Sequence, residues 1–330
     1  MSTEFTQAVQ MHSYGPPEVL IYAPLRLAPL QPDEVRIRTI ASAVNHTDLE
    51  IRSGNWPIRK QDPFPYVPGV EVVGEIAEVG SSVSGLYPGD RVITMMQGLG
   101  GVRGERHGGY AELVTVAADA VALIESAVDP YVMAALGLGG VTAYEGLRKV
   151  GDLAGKHILV TGAAGGVGSA AVAIAKAQGA AVTGVVSRAG QADYVRSLGA
   201  DEVVVSTSDA PLELEVSSFD GILDTVGAAV FASSLKALRA GGVLSLVGAV
   251  GGSDVRLDLW ELIRPITLTG YSSETLDGAT LRHAIAAIAG WVQDGSISAP
   301  CYTTVPMAEA ARAHAMLESR GISGRVLLVP

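Results

Sequence analysis

One stretch constrains the fold more than any other: HILVTGAAGGVGSAAVAIAKAQG, residues 157–179. An apolar run, HILVTGA (157–163), ends in a glycine-rich turn. The turn opens GVGSAAVAIAKAQG (166–179), which has helical spacing. That order reads as strand, turn and helix. The alternation then repeats. AVTGVVS (181–187) reads as a strand and AGQADYVRSLG (189–199) as a helix. DEVVVS (201–206), FDGILDTV (219–226) and GVLSLVGA (242–249) read as further strands, with a helix at 230–240 before the last. A helix at 130–150 precedes the series. Strands alternating with helices of this length form βαβ units and a parallel sheet.

Within the turn, Gly162-Ala163-Ala164-Gly165-Gly166-Val167-Gly168 approximates the dinucleotide fingerprint, with Ala163 in place of its first glycine. Gly165 admits a pyrophosphate close to the backbone. Gly168 lets the helix pack tightly on the strand, and the helix N-terminus presents free N–H groups. The second strand ends in Val186-Ser187-Arg188 and carries no carboxylate. A carboxylate there bonds the ribose 2′-hydroxyl of NADH. Serine and a forked guanidinium suit the 2′-phosphate of NADPH instead. Tyr194 on the next helix either joins that pocket or packs. Arg188 alternatively sits solvated on the surface.

The flanking regions read differently. Segments 34–44, 70–80 and 108–116 are β-rich and punctuated by Pro68-Gly69 and Pro88-Gly89-Asp90, as in an irregular barrel or sandwich. Beyond 266–273 the alternation weakens, with helices at 281–295 and 307–321 and a terminal strand at 324–329. That strand has no partner nearby in sequence. It is expected to rejoin the first β region. The fold class is therefore α/β, a doubly wound parallel Rossmann sheet inserted in a mainly-β domain. The boundaries are 1–125, 126–270 and 271–330.

The net charge of −11 argues against nucleic-acid and membrane-surface partners, whose affinity needs clustered Lys and Arg. The single cysteine, Cys301, excludes an intramolecular disulfide and a cysteine-built zinc site. MSTEFTQAVQ lacks the pattern of a signal peptide, and no apolar run is long enough for a membrane span. A cytoplasmic location is expected.

Several ordered motifs resemble one family. They are AVNHTDLEIRSG (43–54), PYVPGVEVVGEIAEVG (65–80), PGDRV (88–92), GGYAELV (108–114), GGVTAYEGL (139–147), VTGAAGGVG (160–168), LGADEV (198–203) and SGRVLLV (323–329). Together they resemble the medium-chain dehydrogenases/reductases, in the zinc-free quinone oxidoreductase (zeta-crystallin-like) branch. The resemblance implies a GroES-like catalytic domain built from both chain ends, hydride transfer from NADPH and a homodimer. Zinc-dependent cousins carry a cysteine ligand where this chain has Asn45 and a histidine ligand where it has Val70. Glu71 alone cannot hold zinc. No metal is expected. Without one, simple ketones are poor acceptors. Quinones and α,β-unsaturated carbonyls spread the incoming charge onto oxygen.

The resemblance also implies site residues. The Asn45 amide is expected near the nicotinamide, donating to it or to the substrate oxygen. Thr142 is expected beside the cofactor. Val226, Gly248, Ala249 and Val250 end strands near the nicotinamide, Tyr271 and Ser272 flank it, and Arg325 is a basic residue close to it. Asp48, Glu50 and Tyr110 are the other catalytic candidates. Glu50 stands where relatives have tyrosine, and a proton-donor role requires its burial. His107 is a further proton-donor candidate. The glycine-rich loop 94–110, with Arg103 and Arg106, either recognises an acidic or thioester substrate or is simply solvated. Strand 242–250 is a candidate sheet edge open to a second copy. The competing functions are a quinone or enone reductase, a 2-enoyl thioester or biosynthetic tailoring reductase, and a non-catalytic NADPH-binding protein.

Overall fold

The computed structural model describes residues 5–96, 99, 101–207, 212–319 and 322–330. Gln97, Gly98 and Gly100 of the glycine-rich loop lie outside these, as do Arg320 and Gly321 of the expected last helix. In chain order the elements are β1 (Phe5–Gln10), β2 (Ile21–Arg26), β3 (Glu34–Ala43), α1 (His46–Ser53), β4 (Glu71–Val79), β5 (Arg91–Met95), β6 (Leu113–Ala117), β7 (Ala122–Leu123) and α2 (Pro130–Arg148). There follow β8 (His157–Val160), α3 (Gly166–Ala177), β9 (Ala181–Val186), α4 (Ala192–Ser197), β10 (Glu202–Val205), β11 (Phe219–Asp224), α5 (Ala228–Ala237), β12 (Leu238–Leu246) and β13 (Thr267–Gly270). The chain closes with α6 (Gly278–Gln293), β14 (Tyr302–Pro306), α7 (Ala310–Glu318) and β15 (Arg325–Val329).

Two compact units result. Unit one is Met1–Gly137, Glu274–Gln293 and Cys301–Pro330; unit two is Leu138–Ser273 and Asp294–Pro300. Three short stretches group otherwise than the sequence suggests: 126–137 with unit one, and 271–273 and 294–300 with unit two.

Unit two is the Rossmann unit. Its sheet runs β10-β9-β8-β11-β12-β13, and every pairing is parallel. Numbered within the unit, this is the doubly wound order 3-2-1-4-5-6, whose strand order reverses between β8 and β11. Leu159, Val185, Phe219, Ile222, Leu235 and Leu244 form a core cluster around these strands. The expected edge at 242–250 is corrected: β12 lies between β11 and β13, and β13 is the edge. The preceding helix ends at Ala237, earlier than expected, so β12 begins at Leu238.

Unit one is mainly β, a sheet of order β14-β15-β3-β4-β5-β7 with β6 also on β3. The terminal strand does rejoin it: β15 pairs antiparallel with β3. It also has a partner nearby in sequence, the parallel strand β14. The strand expected from residue 108 starts only at Leu113. Val35, Ile37, Val73, Ile76, Ile93 and Leu327 fill the interior.

Candidate active site

In unit two the site is made from backbone. Gly165 caps α3 in an extended conformation, and its N–H closes the turn onto Gly162 O at 2.9 Å. Helix geometry leaves the N–H groups of Gly166, Val167 and Gly168 without intrahelical partners. Gly165 is exposed and Gly166 and Val167 are half-buried, so these donors stand at the surface of the turn. Ala164 is buried beneath them. A side chain at Gly168 would place its Cβ 2.2 Å from Gly162 O, a backbone atom that cannot step aside. Glycine at 168 is therefore what lets the helix start so close to β8.

The strand ends around this turn are locked together. Asp224, fully buried at the end of β11, accepts from Thr161 Oγ1 at 2.6 Å and from the N–H groups of Val226 and Gly227. Burial pushes its carboxyl above the usual range, against those donors. Thr225 Oγ1 returns a bond to Thr161 O at 2.8 Å. The Gly248 backbone approaches Thr225 O, Gly251 N–H donates to Val226 O, and Tyr271 N–H donates to Leu246 O. Val226, Gly248, Ala249, Val250 and Tyr271 therefore share the C-terminal edge of the sheet, with Ser272 next in chain, where dinucleotides bind in such folds. Gly139 of α2 abuts Gly166, and buried Thr142 follows one turn later. Ser187 and Arg188 are exposed beyond β9, and Tyr194 is half-buried. This cradle fits a nicotinamide dinucleotide: free N–H groups at a helix start, close glycine packing and the reversal point coincide.

In unit one the site is made from buried charged and polar side chains. Asn45 caps α1. Its Nδ2 donates to Glu71 Oε1 at 2.7 Å and to Ala43 O at 3.2 Å. Both amide protons are thus engaged within unit one, whereas the resemblance has this amide donating to nicotinamide or substrate. Arg325 Nη2 donates to Asn45 Oδ1 at 3.0 Å and to Glu71 Oε1 at 2.7 Å. Arg325 and Glu71 form a buried pair, 6% and 2% exposed. Gly137, at φ +34°, makes room for Glu71: a Cβ there would sit 1.9 Å from Oε2. Arg325 Nε has no partner among the described residues.

A second buried chain runs from the start of α1. Asp48 is fully buried and accepts from Asn45 N at 2.9 Å, from Val70 N at 3.0 Å and from the Tyr110 hydroxyl. Burial, with Glu71 nearby, pushes its carboxyl up to about 7, against those hydrogen bonds. Tyr110 is also fully buried, and burial and Asp48 raise its phenol well above the usual range. His314 Nε2 lies 3.2 Å from Tyr110 Oη. With the phenol proton directed at Asp48, the imidazole donates from Nε2. Burial, and then the Arg52 charge, push His314 down to about 3, so it is neutral at pH 7. Arg52 is held by Glu318. Asp48 and Tyr110 are both fully buried, and Asp48 holds the N–H groups of Asn45 and Val70.

The other candidates separate. Glu50 is exposed, so the burial its proton-donor role needs is missing. His107 is exposed as well. Arg106 pairs with Glu34 and is not free for an acidic substrate. His314 and Arg52 were not legible as site residues, because nothing in their local sequence marks them. Asp224 had a signal, a carboxylate closing the apolar run Gly221-Ile222-Leu223 of β11. Among the described residues, no three His, Cys, Asp or Glu are grouped to hold a metal. No helix among them is long and apolar enough to cross a membrane.

Residues 31–126 match the alcohol dehydrogenase GroES-like domain family, and residues 166–289 match the zinc-binding dehydrogenase family. A 2-methylene-furan-3-one reductase of Solanum lycopersicum is 36% identical over 72% of this chain, which spans 61% of that protein. An acryloyl-coenzyme A reductase of Metallosphaera sedula is 32% identical over 89% of this chain and 92% of its own length. The crystal structure of Escherichia coli quinone oxidoreductase complexed with NADPH superposes with a TM-score of 0.85 at 27% identity, covering 98% of this chain and all (100%) of that one. The chain belongs to the medium-chain dehydrogenase/reductase family, in its zinc-free quinone oxidoreductase-like branch. It is an oxidoreductase with a nicotinamide cofactor.

Proposed function

We propose that the chain reduces quinones or α,β-unsaturated carbonyl compounds with NADPH and without a metal. The observation that carries this reading is the Asn45–Glu71–Arg325 cluster. By resemblance, positions 45 and 70 hold metal ligands in zinc-dependent cousins. Here they are an amide and a valine, and a permanently charged guanidinium is buried against that amide. When bound, NADPH would supply a hydride, which carries both electrons of the reduction, and a solvent proton would complete it. The N–H groups at the start of α3 hold the pyrophosphate. Arg325 keeps an oriented donor for the acceptor oxygen, and a conjugated acceptor needs no stronger electrophile.

NADPH rather than NADH is supported by the end of β9, where Ser187 and Arg188 replace a carboxylate. Arg188 is exposed and forms no ion pair among the described residues. A 2-enoyl thioester is a second acceptor of the same chemistry, supported by the likeness to the M. sedula protein.

The proposal includes a homodimer. Leu259, Trp260, Ile263 and Leu268 are 73%, 75%, 71% and 41% exposed, and Leu268 lies on the free edge strand β13. A monomer rarely leaves such a set uncovered. The free thiol Cys301 suits the reducing cytoplasm as its compartment.

The test is oxidation of NADPH and NADH by the purified, chelator-treated protein, with 1,4-benzoquinone, an enone and crotonyl-CoA as acceptors. Turnover with NADPH that chelation leaves intact is expected. Preference for NADH, or loss of activity on chelation, contradicts the reading. Light scattering checks the dimer: wild type is expected at twice the chain mass and Trp260→Asp at the chain mass.

A further inference from the structure

We propose that a basic cavity on unit one holds the phosphate-bearing end of a coenzyme A thioester substrate. The inference rests on the reductase reading above and names the substrate class within it. The cavity, about 540 Å³, is lined by Arg59, Lys60, Arg103 and Glu105. Its size is that of a small-molecule site. The chain carries 23 Lys and Arg against 34 Asp and Glu, so three cations around one cavity invert its overall charge locally.

The cations come from two loops that the backbone ties together. Arg59 N–H donates to Val102 O at 2.7 Å, and Tyr66 Oη donates to Gly101 O at 2.9 Å. Tyr14 Oη accepts from Ile58 N at 2.8 Å and fixes the first loop from its other side. The charges are therefore presented on a held frame, which lowers the ordering cost of binding.

None of the three is firmly neutralised. Lys60 forms no ion pair among the described residues. Arg59 reaches Glu274 only at 3.4 Å and is 63% exposed, so that pair is weak. Arg103 makes a long contact to Glu274 O at 3.5 Å. A guanidinium so placed turns readily to a phosphate, which it binds as a fork. Arg106 is excluded from the set by its pair with Glu34.

The first loop follows α1, which Asn45 caps and which spans about 12 Å over its 8 residues. The second runs on to Tyr110 of the buried chain. A substrate with its acyl group near the Asn45–Arg325 cluster and its charge at this cavity needs a long, extended, neutral linker. The pantetheine arm of coenzyme A is such a linker, with phosphates at its far end.

The experiment compares kcat/KM for crotonyl-CoA and crotonyl-pantetheine, which share the acyl thioester and differ in the phosphorylated nucleotide. It uses wild type and the R59A/K60A/R103A variant, with Tm confirming that the variant folds. Wild type is expected to favour crotonyl-CoA by about tenfold or more, through KM, and the variant to bring that ratio near unity. The wild-type preference should also shrink with added salt. A ratio that is the same in both proteins overturns the inference. Turnover of 1,4-benzoquinone but of neither thioester overturns it while leaving the reductase reading intact. Turnover of none of the three overturns both.

Discussion

The two units build their candidate sites from opposite materials. Unit two uses backbone: helix-start N–H groups at Gly166–Gly168 and glycines where another residue would collide. Unit one uses charged and polar side chains that fold out of water, Asn45, Glu71 and Arg325 in one cluster and Asp48, Tyr110 and His314 in another. Backbone groups are already dipolar and need little else. Buried charges hold only as a set, because removing one strands the others. The first device resists change through shape and the second through charge balance.

The largest expected effect attacks shape. Gly168→Val forces Cβ and two methyl groups against Gly162 O and is expected to weaken nucleotide binding by more than about hundredfold and to lower Tm. Fluorescence titration with NADPH and thermal melting measure both. Retained affinity would show that the close packing is not what forms the cradle.

The next attacks charge balance. Arg325→Met leaves Glu71 buried without its cation and is expected to cost about 3–5 kcal/mol in urea unfolding. Adding Glu71→Gln should recover part of that loss. Strictly additive losses would show that the two side chains do not act as a pair.

A third prediction uses pH. Asp48 is raised in the folded protein from 3.8 to about 7, so folding favours its protonated form. Its contribution is full below about pH 4 and is lost as pH rises through 7. His314 is lowered from 6.5 to about 3, so folding favours its neutral form. Its contribution is full above 6.5 and is lost as pH falls toward 3. The two slopes oppose each other between about pH 4 and 6.5. Relative to wild type, His314→Phe is expected to make Tm fall as pH rises across that window. Asp48→Asn is expected to make Tm rise. Parallel pH profiles in all three proteins would break the assignment.

How much of this was legible in the sequence follows from the same contrast. The cradle is contiguous, Gly162 to Gly168, so spacing alone exposed it. The Asn45–Arg325 contact joins residues 280 apart, and no periodicity links them. Resemblance placed both residues near the cofactor but gave Asn45 a free amide that Glu71 and Ala43 in fact occupy. β14 escaped notice because YTTVP has one buried residue and no apolar alternation. The apolar run of β12 suggests an edge, whereas the edge strand TLTG is short and largely exposed and carries little signal.

The smallest expected effect concerns a surface charge. Arg188→Ala should weaken NADPH binding by about tenfold and leave NADH binding nearly unchanged, as read by fluorescence titration. Equal losses for both would place Arg188 outside the 2′-phosphate pocket.

The central claim is that a guanidinium serves where cousins use a metal. The direct measurement is NADPH-dependent reduction of 1,4-benzoquinone by chelator-treated wild type, Arg325→Lys and Arg325→Ala, with NADPH binding confirming that each variant folds. The account predicts full wild-type activity, a loss of kcat of about hundredfold in Arg325→Ala at unchanged NADPH affinity, partial retention in Arg325→Lys, and no recovery with zinc. Wild-type activity in Arg325→Ala, or activity that appears only with zinc, would contradict it.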